Sequence, residues 1–176
     1  MLTASKAWTL CSLMLAVCLL AGISQAQDIP TLSARTLGEK TVTLPEAFVG
    51  HITVLVVGFT RSSQSPCAAW GKRLTQELTN SDVQLYQAAV LQDVPRLFRG
   101  MVISGIRKGV PASQHDRFLV LTERQDEWKK LAQFSEPDAA YVLLIDRAGK
   151  IVWITHRAAD DNALSELRAQ IAVLGK

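Results

Sequence analysis

The side chain best suited to covalent chemistry in this sequence is the thiol of Cys67, which ends the stretch ITVLVVGFTRSSQSPC at residues 52–67. An apolar run followed by a polar turn and Ser-Pro is typical of a strand that leads into a helix. At a helix start the thiol pKa would be lowered, and the thiolate could form a mixed disulfide or be oxidised. The alternative is a small, partly buried residue that packs near Trp70, because free cysteine is among the most buried residue types.

The first 26 residues are predicted to be an export signal. Lys6 precedes an apolar run at residues 7–23, and the small-residue ending Ser-Gln-Ala places cleavage after Ala26. An uncleaved membrane anchor is the alternative, since the apolar run is at the lower edge of what spans a bilayer.

Cleavage would leave residues 27–176, a length typical of one domain with its own core, in the periplasm or at the membrane facing it. Cys11 and Cys18 would be removed, so Cys67 could form no internal disulfide. The whole chain carries 19 Lys and Arg against 16 Asp and Glu, with the two signs interspersed. Scattered charge and few aromatic residues argue against nucleic acid as a partner.

Two further constellations are weak as functional sites. Cys67 and the histidines His51, His115 and His156 lack the close spacing of a copper site, so no metal and no cofactor is predicted. His115 and Asp116 could be a catalytic dyad, but neighbours on an extended chain point to opposite faces. We interpret them as a loop pair in which one side chain bonds local backbone.

The apolar run Ile52–Phe59 is rich in β-branched residues and predicts a central strand covered on both faces. Ser65 and Pro66 are predicted to be the N-cap and the first residue of the next helix.

Residues 141–155 contain two apolar runs around an Asp-to-Gly turn and predict a β-hairpin. The other predicted elements are an edge strand at 40–45, strands at 83–91 and 118–122, helices at 94–108 and 126–133, and a last helix capped by Asp160 or Asp161. This order predicts an α/β fold: an open sheet with helices on both faces and a C-terminal hairpin plus helix.

The helical segment 94–108 also offers a surface for a partner. Arg96, Arg99 and Arg107 fall within about 80° on a helical wheel, and this basic ridge could rest against anionic headgroups or an acidic loop of a membrane subunit. The alternative is the solvated outer face of a helix whose apolar residues pack on the sheet. The candidate partner-binding residues are Arg96, Arg99, Arg107, Lys108, His115 and Asp116.

A second candidate surface is the turn that follows the central strand. Arg61 lies in this turn, and loops beyond the carboxyl ends of strands are where open α/β sheets bind ligands. The amides and hydroxyls of Ser62, Ser63 and Gln64 could hold a peptide segment there.

With these elements placed, residues 52–70 resemble the strand, loop and helix start on which thioredoxin-like proteins carry a reactive cysteine pair. The resemblance puts the second cysteine of the pair at Cys67 but the first at Gln64, so the attacking nucleophile is missing. It also implies a proline near Ala139 or Ala140, and Pro137 lies too early. The degenerate active-site loop comprises Arg61, Ser62, Ser63, Gln64, Ser65, Pro66, Cys67 and Trp70.

The second half of the chain resembles one family of this fold, the mitochondrial ATP-synthase assembly factors. The likeness is carried by IRKGVP at 106–111, HDRF at 115–118, YVLLID at 141–146 and GKIVW at 149–153, and it covers residues 52–173. Those factors lack a paired cysteine motif and are chaperones of a membrane subunit. The likeness therefore implies a protein client in a membrane complex. Two features differ. The leader looks like a bacterial export signal and not like an Arg-rich transit peptide, and Trp153 is followed by Ile-Thr-His at 154–156 where the family tends to small residues.

Together these features predict an exported thioredoxin-like protein without a dithiol active site. It would bind a protein client as an assembly or maturation factor for a membrane complex, possess no catalytic activity, and contact the membrane surface where its client lies. The alternative hypothesis is a periplasmic thiol-dependent oxidoreductase or peroxidase that uses Cys67 alone.

Overall fold

A computed structural model describes residues 26–79 and 81–175 of the chain, so the predicted export signal, except for Ala26, lies outside the described residues. The strands form one mixed sheet: β1 (Gln27–Asp28), β2 (Leu32–Thr36), β3 (Thr41–Leu44), β4 (Thr53–Gly58), β5 (Gln84–Val90), β6 (Phe118–Leu121), β7 (Tyr141–Ile145) and β8 (Lys150–Thr155). The helices are α1 (Gln64–Glu77), α2 (Arg96–Gly109), α3 (Gln125–Leu131) and α4 (Asp161–Leu174), with a 3-10 segment, η1, at Ala112–Arg117. None of the helices in these two ranges is long and apolar enough to cross a bilayer.

Strand β4 lies in the middle of the sheet, whose strand order is β1-β8-β7-β4-β5-β6-β2-β3. It pairs in parallel with β5 and antiparallel with β7. Residues 53–57 are all buried, as expected for a β-branched run covered on both faces. The predicted open sheet with helices on both faces, a C-terminal hairpin and a closing helix is confirmed.

Alternate side chains of β4 enter two separate cores. Leu55 and Val57 face a cluster that includes Trp128 of α3. Val54 and Val56 face the opposite cluster, in which α1 and α4 cover the sheet. The buried residues of these two helices are Trp70, Gly71, Leu74, Ala163, Leu164 and Leu167. The position of α1 is therefore set by its packing on β4.

The start of α1 differs from the prediction. Ser63, and not Ser65, is the N-cap, so the helix begins two residues earlier than expected. The reason is the Ser63 hydroxyl, which donates to the carbonyl of Thr60 (2.8 Å) and closes the turn early. Pro66 becomes the third helical residue, which is tolerated because N–H groups in the first turn have no partner within the helix.

Two strands and one short helix are not predicted from the sequence. β2 buries only Ala34 and Thr36, so its apolar content is too low to show the period of a strand. It nevertheless pairs with both β3 and β6. β1 spans two residues, and η1 connects α2 to β6. The other elements agree with the prediction to within a few residues, and Asp160 caps α4 by accepting the N–H of Ala163 (2.7 Å).

The turn between β2 and β3 holds the end of α2 and η1 in place. The N–H of Gly38 donates to a carbonyl of η1 (3.1 Å). Glu39 pairs with Arg107 (3.0 Å), and Lys40 pairs with Asp116 (2.6 Å). A side chain at Gly38 would overlap the Asp116 carboxylate and would displace it. Three consecutive residues of one turn thus fix the connection from α2 to β6.

Replacing Leu74 with alanine should destabilise the protein strongly, because this side chain is fully buried between α1 and the sheet. We expect the free energy of unfolding to fall by about 2–5 kcal/mol, as for other buried leucines. Urea denaturation followed by circular dichroism measures the change. Val173→Ala in α4 is the control: Val173 is 65% exposed, and its truncation should cost less than about 0.5 kcal/mol. Equal denaturation midpoints for the two variants would contradict the packing of α1 on β4.

Candidate functional site

The candidate site lies at the edge of the sheet where β4 ends and α1 begins. Because β4 and β5 are parallel, their carboxyl ends meet at this edge, beside the amino end of antiparallel β7. Thr60 fixes the loop: its hydroxyl donates to the carbonyl of Pro137 (2.7 Å) and accepts the N–H of Ser63 (3.2 Å). Arg61 and Ser62 are exposed at the tip, so the loop presents one cation and one hydroxyl to solvent.

The first and fourth residues of α1 are Gln64, which is exposed, and Cys67, which is half-buried. The sulfur lies against Gly58, where an added Cβ would be only 3.0 Å from it. Burial raises the pKa of the Cys67 thiol to about 11, and a hydrogen bond with Ser63 opposes this rise in part. The pKa thus moves in the direction opposite to the lowering expected at a helix start, because burial removes hydration that would stabilise the thiolate.

This geometry does not support thiol–disulfide exchange in the manner of a paired cysteine site. That reaction starts with attack by an exposed thiolate, whereas position 64 holds an amide and the Cys67 thiol is protonated at neutral pH. What the loop retains is hydrogen-bonding capacity. Its exposed side chains are those of Arg61, Ser62, Gln64 and Ser65.

The remaining predicted loop residues are less accessible. Ser63 is buried, Pro66 is half-buried, and Trp70 is fully buried in the core under α1. The Trp70 indole N–H donates to the carbonyl of Arg157 (2.9 Å). Trp70 therefore positions the helix and does not belong to a surface that a partner can reach.

An aromatic cluster supports the neighbouring loop at residues 135–140. The buried Tyr141 hydroxyl accepts the N–H groups of Ser135 and Glu136 (both 2.8 Å). Phe59 packs edge-on against the Tyr141 ring, with 5.5 Å between centroids. Among the described residues the one cis peptide bond is Leu44–Pro45, so this loop is held by Tyr141 without a cis-proline. The sequence pattern marks Tyr141 only as a strand residue and gives no signal of this role.

The four basic residues proposed for α2 have different surroundings. The Arg99 guanidinium donates to the carbonyls of Val94 (2.8 Å) and Gln92 (2.9 Å), and Arg107 is paired with Glu39. These contacts fold two of the cations back onto the protein. In the described part of the chain, Arg96 and Lys108 have no acidic partner. The predicted ridge of three arginines is thus broken up by local bonds.

His115 and Asp116 hold η1 in place. A ring nitrogen of His115 lies 2.9 Å from the carbonyl of Val110, and Asp116 pairs with Lys40. The two residues lie in a 3-10 turn and not on the extended chain that was expected. His51, His156 and Cys67 do not join them, since no group of three potential metal ligands occurs in the described ranges.

The apolar side of α2 is the largest departure from the sequence interpretation. Val102, Ile103 and Ile106 pack against the core, which agrees with the alternative interpretation of this helix, but Leu97 and Met101 are 86% and 73% exposed. Phe98 is also half exposed, at 50%. A signal was present in the sequence: the apolar positions of this helix spread over about 240° of the wheel, more than one packed face can bury.

Two shallow grooves lie between α1 and η1, on either side of a bond from Gln87 to Gln114 (3.3 Å). Their volumes are about 360 and 370 Å³. One is bordered by the end of α2 at Gly109, but Leu97, Phe98 and Met101 line neither. The exposed apolar side of α2 therefore lies outside both grooves.

A family model described as ATP10 protein matches residues 23–174 of the chain. In a comparison with curated proteins, none matches the chain. Structures with a similar fold include BsSco, a member of the Sco family of cytochrome c oxidase assembly proteins (17% identity, TM-score 0.57, 83% of this chain and 94% of that chain). A SCO1/SenC family lipoprotein from Bacillus anthracis strain Ames is also similar (16% identity, TM-score 0.56, 88% of this chain and 99% of that chain). The exposed lipoprotein thioredoxin Etrx1 from Streptococcus pneumoniae strain TIGR4 has a similar fold too (14% identity, TM-score 0.57, 80% of this chain and 99% of that chain). The predicted thioredoxin-like fold is thus confirmed.

The Cys67 thiol should react slowly with iodoacetamide in the folded protein. Its pKa of about 11, against an ordinary 9.0, leaves little thiolate near neutral pH. We expect alkylation to be roughly a hundredfold slower than in protein unfolded with urea, since only the thiolate attacks. Mass spectrometry of the peptide that contains Cys67 measures both rates. Equal rates in the folded and unfolded protein would show that the sulfur is not buried as described.

Proposed function

Because the chain belongs to the ATP10 protein family of ATP synthase assembly factors, we propose that it is an assembly or maturation factor for a membrane complex. It acts by binding a protein client, a subunit of that complex, without chemical turnover. The family makes ATP synthase the first complex to test. The family model and the thioredoxin-like fold support this role together, since the matched residues 23–174 include the candidate loop.

The observation that carries the proposal is the state of α1 at its first turn. Gln64 occupies the exposed position where an attacking cysteine would stand, and the raised pKa keeps the Cys67 thiol protonated. A site without an available thiolate has no covalent route to a client. The exposed groups at this edge, Arg61 and Ser62 above all, can instead form hydrogen bonds with an extended segment of the client.

We also propose that this function is carried out by residues 27–176 after export, as one domain on the periplasmic side of a membrane. The basis is the leader sequence, in which Lys6 and an apolar run precede a small-residue ending at Ala26. The protein would then bind its client, a subunit of a membrane complex, outside the cytoplasm.

The second candidate function is a thiol-dependent oxidoreductase or peroxidase that uses Cys67. It has one supporting feature, the position of Cys67 in the first turn of α1. The raised pKa acts against it, because a peroxidase or exchange reaction begins with the thiolate.

Replacing Cys67 with serine should leave client capture unchanged within about twofold, because the sulfur takes no part in binding. Cys67→Ala is the second variant, since a serine hydroxyl would be half-buried at this position. Co-purification of the client from solubilised membranes measures capture, and insulin reduction and peroxide consumption measure thiol chemistry. Loss of capture in both variants, or appreciable turnover by the unmodified protein, would favour the second function.

A photocrosslinking amino acid in place of Ser62 should form an adduct with the client in intact cells, because Ser62 is exposed at the tip of the loop. The same amino acid in place of Ser165, which is exposed on α4, is the matched control and should give no adduct. Mass spectrometry identifies the captured protein. Adducts that contain no membrane-complex subunit would contradict the proposed role.

A further inference from the structure

Helix α2 presents large apolar side chains to solvent over its first two turns. Leu97, Phe98 and Met101 are 86%, 50% and 73% exposed, and three of the five most exposed large apolar residues of the described chain therefore lie in this one helix. The opposite side of α2 packs on the core through Ile103 and Ile106. The helix thus has one side that the fold covers and one apolar side that it leaves uncovered.

The charge of α2 has a single sign. The helix contains three arginines and one lysine and no acidic residue. Arg99 and Arg107 are bonded to the protein itself, but Arg96 and Lys108 are exposed and lack an acidic partner among the residues described. They stand at opposite ends of a helix that is about 21 Å long. At 100° per residue Lys108 lies between Leu97 and Met101, whereas Arg96 lies about 100° from Leu97, at the margin of the apolar side. Both side chains are exposed, so a cation at each end of α2 is available to an anionic partner.

The shape of this surface favours a lipid interface over a peptide. Leu97 and Met101 are 86% and 73% exposed, which is more than side chains enclosed by the walls of a peptide groove would be, and neither they nor Phe98 line the two grooves beside η1. Apolar side chains combined with cations are the composition of helices that lie in the headgroup region of anionic membranes. A bilayer surface is also deformable and can fit a convex helix.

We propose that α2 docks this protein on the surface of an anionic phospholipid membrane. Leu97, Phe98 and Met101 enter the boundary between headgroups and acyl chains, and Arg96 and Lys108 contact lipid phosphates. Arg99 and Arg107 contribute differently, because their bonds to the Gln92 and Val94 carbonyls and to Glu39 hold α2 on the body in a fixed orientation. Docking by α2 needs no protein client and goes beyond the assembly role proposed above.

Hydrogen exchange of the full chain tests this surface. Residues 1–26 are apolar and would bind lipid by themselves, so the measurement is the exchange of amides 96–109 and not the amount of protein bound. Vesicles of phosphatidylcholine with phosphatidylglycerol should slow exchange in this segment by roughly tenfold, because a docked helix opens less often. Vesicles of phosphatidylcholine alone should leave it unchanged.

Two double variants and one control make the test specific to α2. Leu97→Ser with Met101→Ser, and Arg96→Gln with Lys108→Gln, should each remove the protection by anionic vesicles. Val173→Ser, at an apolar position of α4 that is 65% exposed, should keep the protection. Circular dichroism verifies that all variants are folded, which is expected because the changed side chains are exposed.

Unchanged exchange of residues 96–109 on anionic vesicles would overturn the proposal, and so would full protection in either double variant. Protection that appears only when a captured membrane protein is added would assign the surface to a protein partner, which also overturns it. Because the vesicles contain no protein, none of these results bears on client capture at Ser62, and the two proposals can fail separately.

Discussion

Two apolar layers enclose β4, and the positions of the candidate residues depend on this burial. The four apolar side chains of residues 54–57 alternate between the core under α1 and α4 and the opposite core beside α3. Their burial contributes roughly 6–12 kcal/mol before the cost of ordering the chain, an upper estimate that is comparable with the net stability of a whole domain. The register of β4 is held on both sides by its backbone pairing with β5 and β7. Gly58 therefore always delivers the chain to the same edge of the sheet.

The same packing determines the chemistry at this edge. α1 lies so close to β4 that any side chain at Gly58 would meet Ser63 and Cys67. The half-buried sulfur loses part of its hydration, and the charged thiolate is disfavoured. The turn before α1 has a fixed shape, and the exposed first position of the helix holds the amide of Gln64. The bonds of Thr60 to Ser63 and Pro137 maintain that shape without any thiol.

The sequence predicts those parts of the fold that show a clear apolar period. β4, the β7–β8 hairpin and α4 each bury a regular set of side chains, and all three are found where they were expected. β2 is not predicted because its place between β3 and β6 follows from pairing with distant strands and not from its own composition. The start of α1 is wrong by two residues because one hydroxyl, that of Ser63, closes the turn early.

For the candidate site, the sequence predicts which residues are present but not which of them are available. The pattern places Cys67 at a helix start correctly, yet the pKa depends on how closely β4 approaches it, and this distance is a tertiary property. Similarly, helical spacing groups Arg99 and Arg107 with Arg96, but bonds to carbonyls and to Glu39 occupy the first two. Which apolar side of α2 is covered depends on the limited area of the sheet that it reaches.

The turn at residues 38–40 has a consequence for how this protein can be shortened. The part of the chain that most clearly resembles thioredoxin-like proteins begins at residue 52. By comparison with those proteins, a fragment that starts there would seem to contain the whole domain. It would nevertheless lack the carboxylate of Glu39 and the ammonium of Lys40, the counterions of Arg107 and Asp116. It would also leave β6 as a bare edge, open to pairing with other chains. Proteolytic removal of the chain ahead of β4 should therefore yield a fragment that aggregates. In the whole protein the β2–β3 hairpin covers β6 and so prevents this pairing.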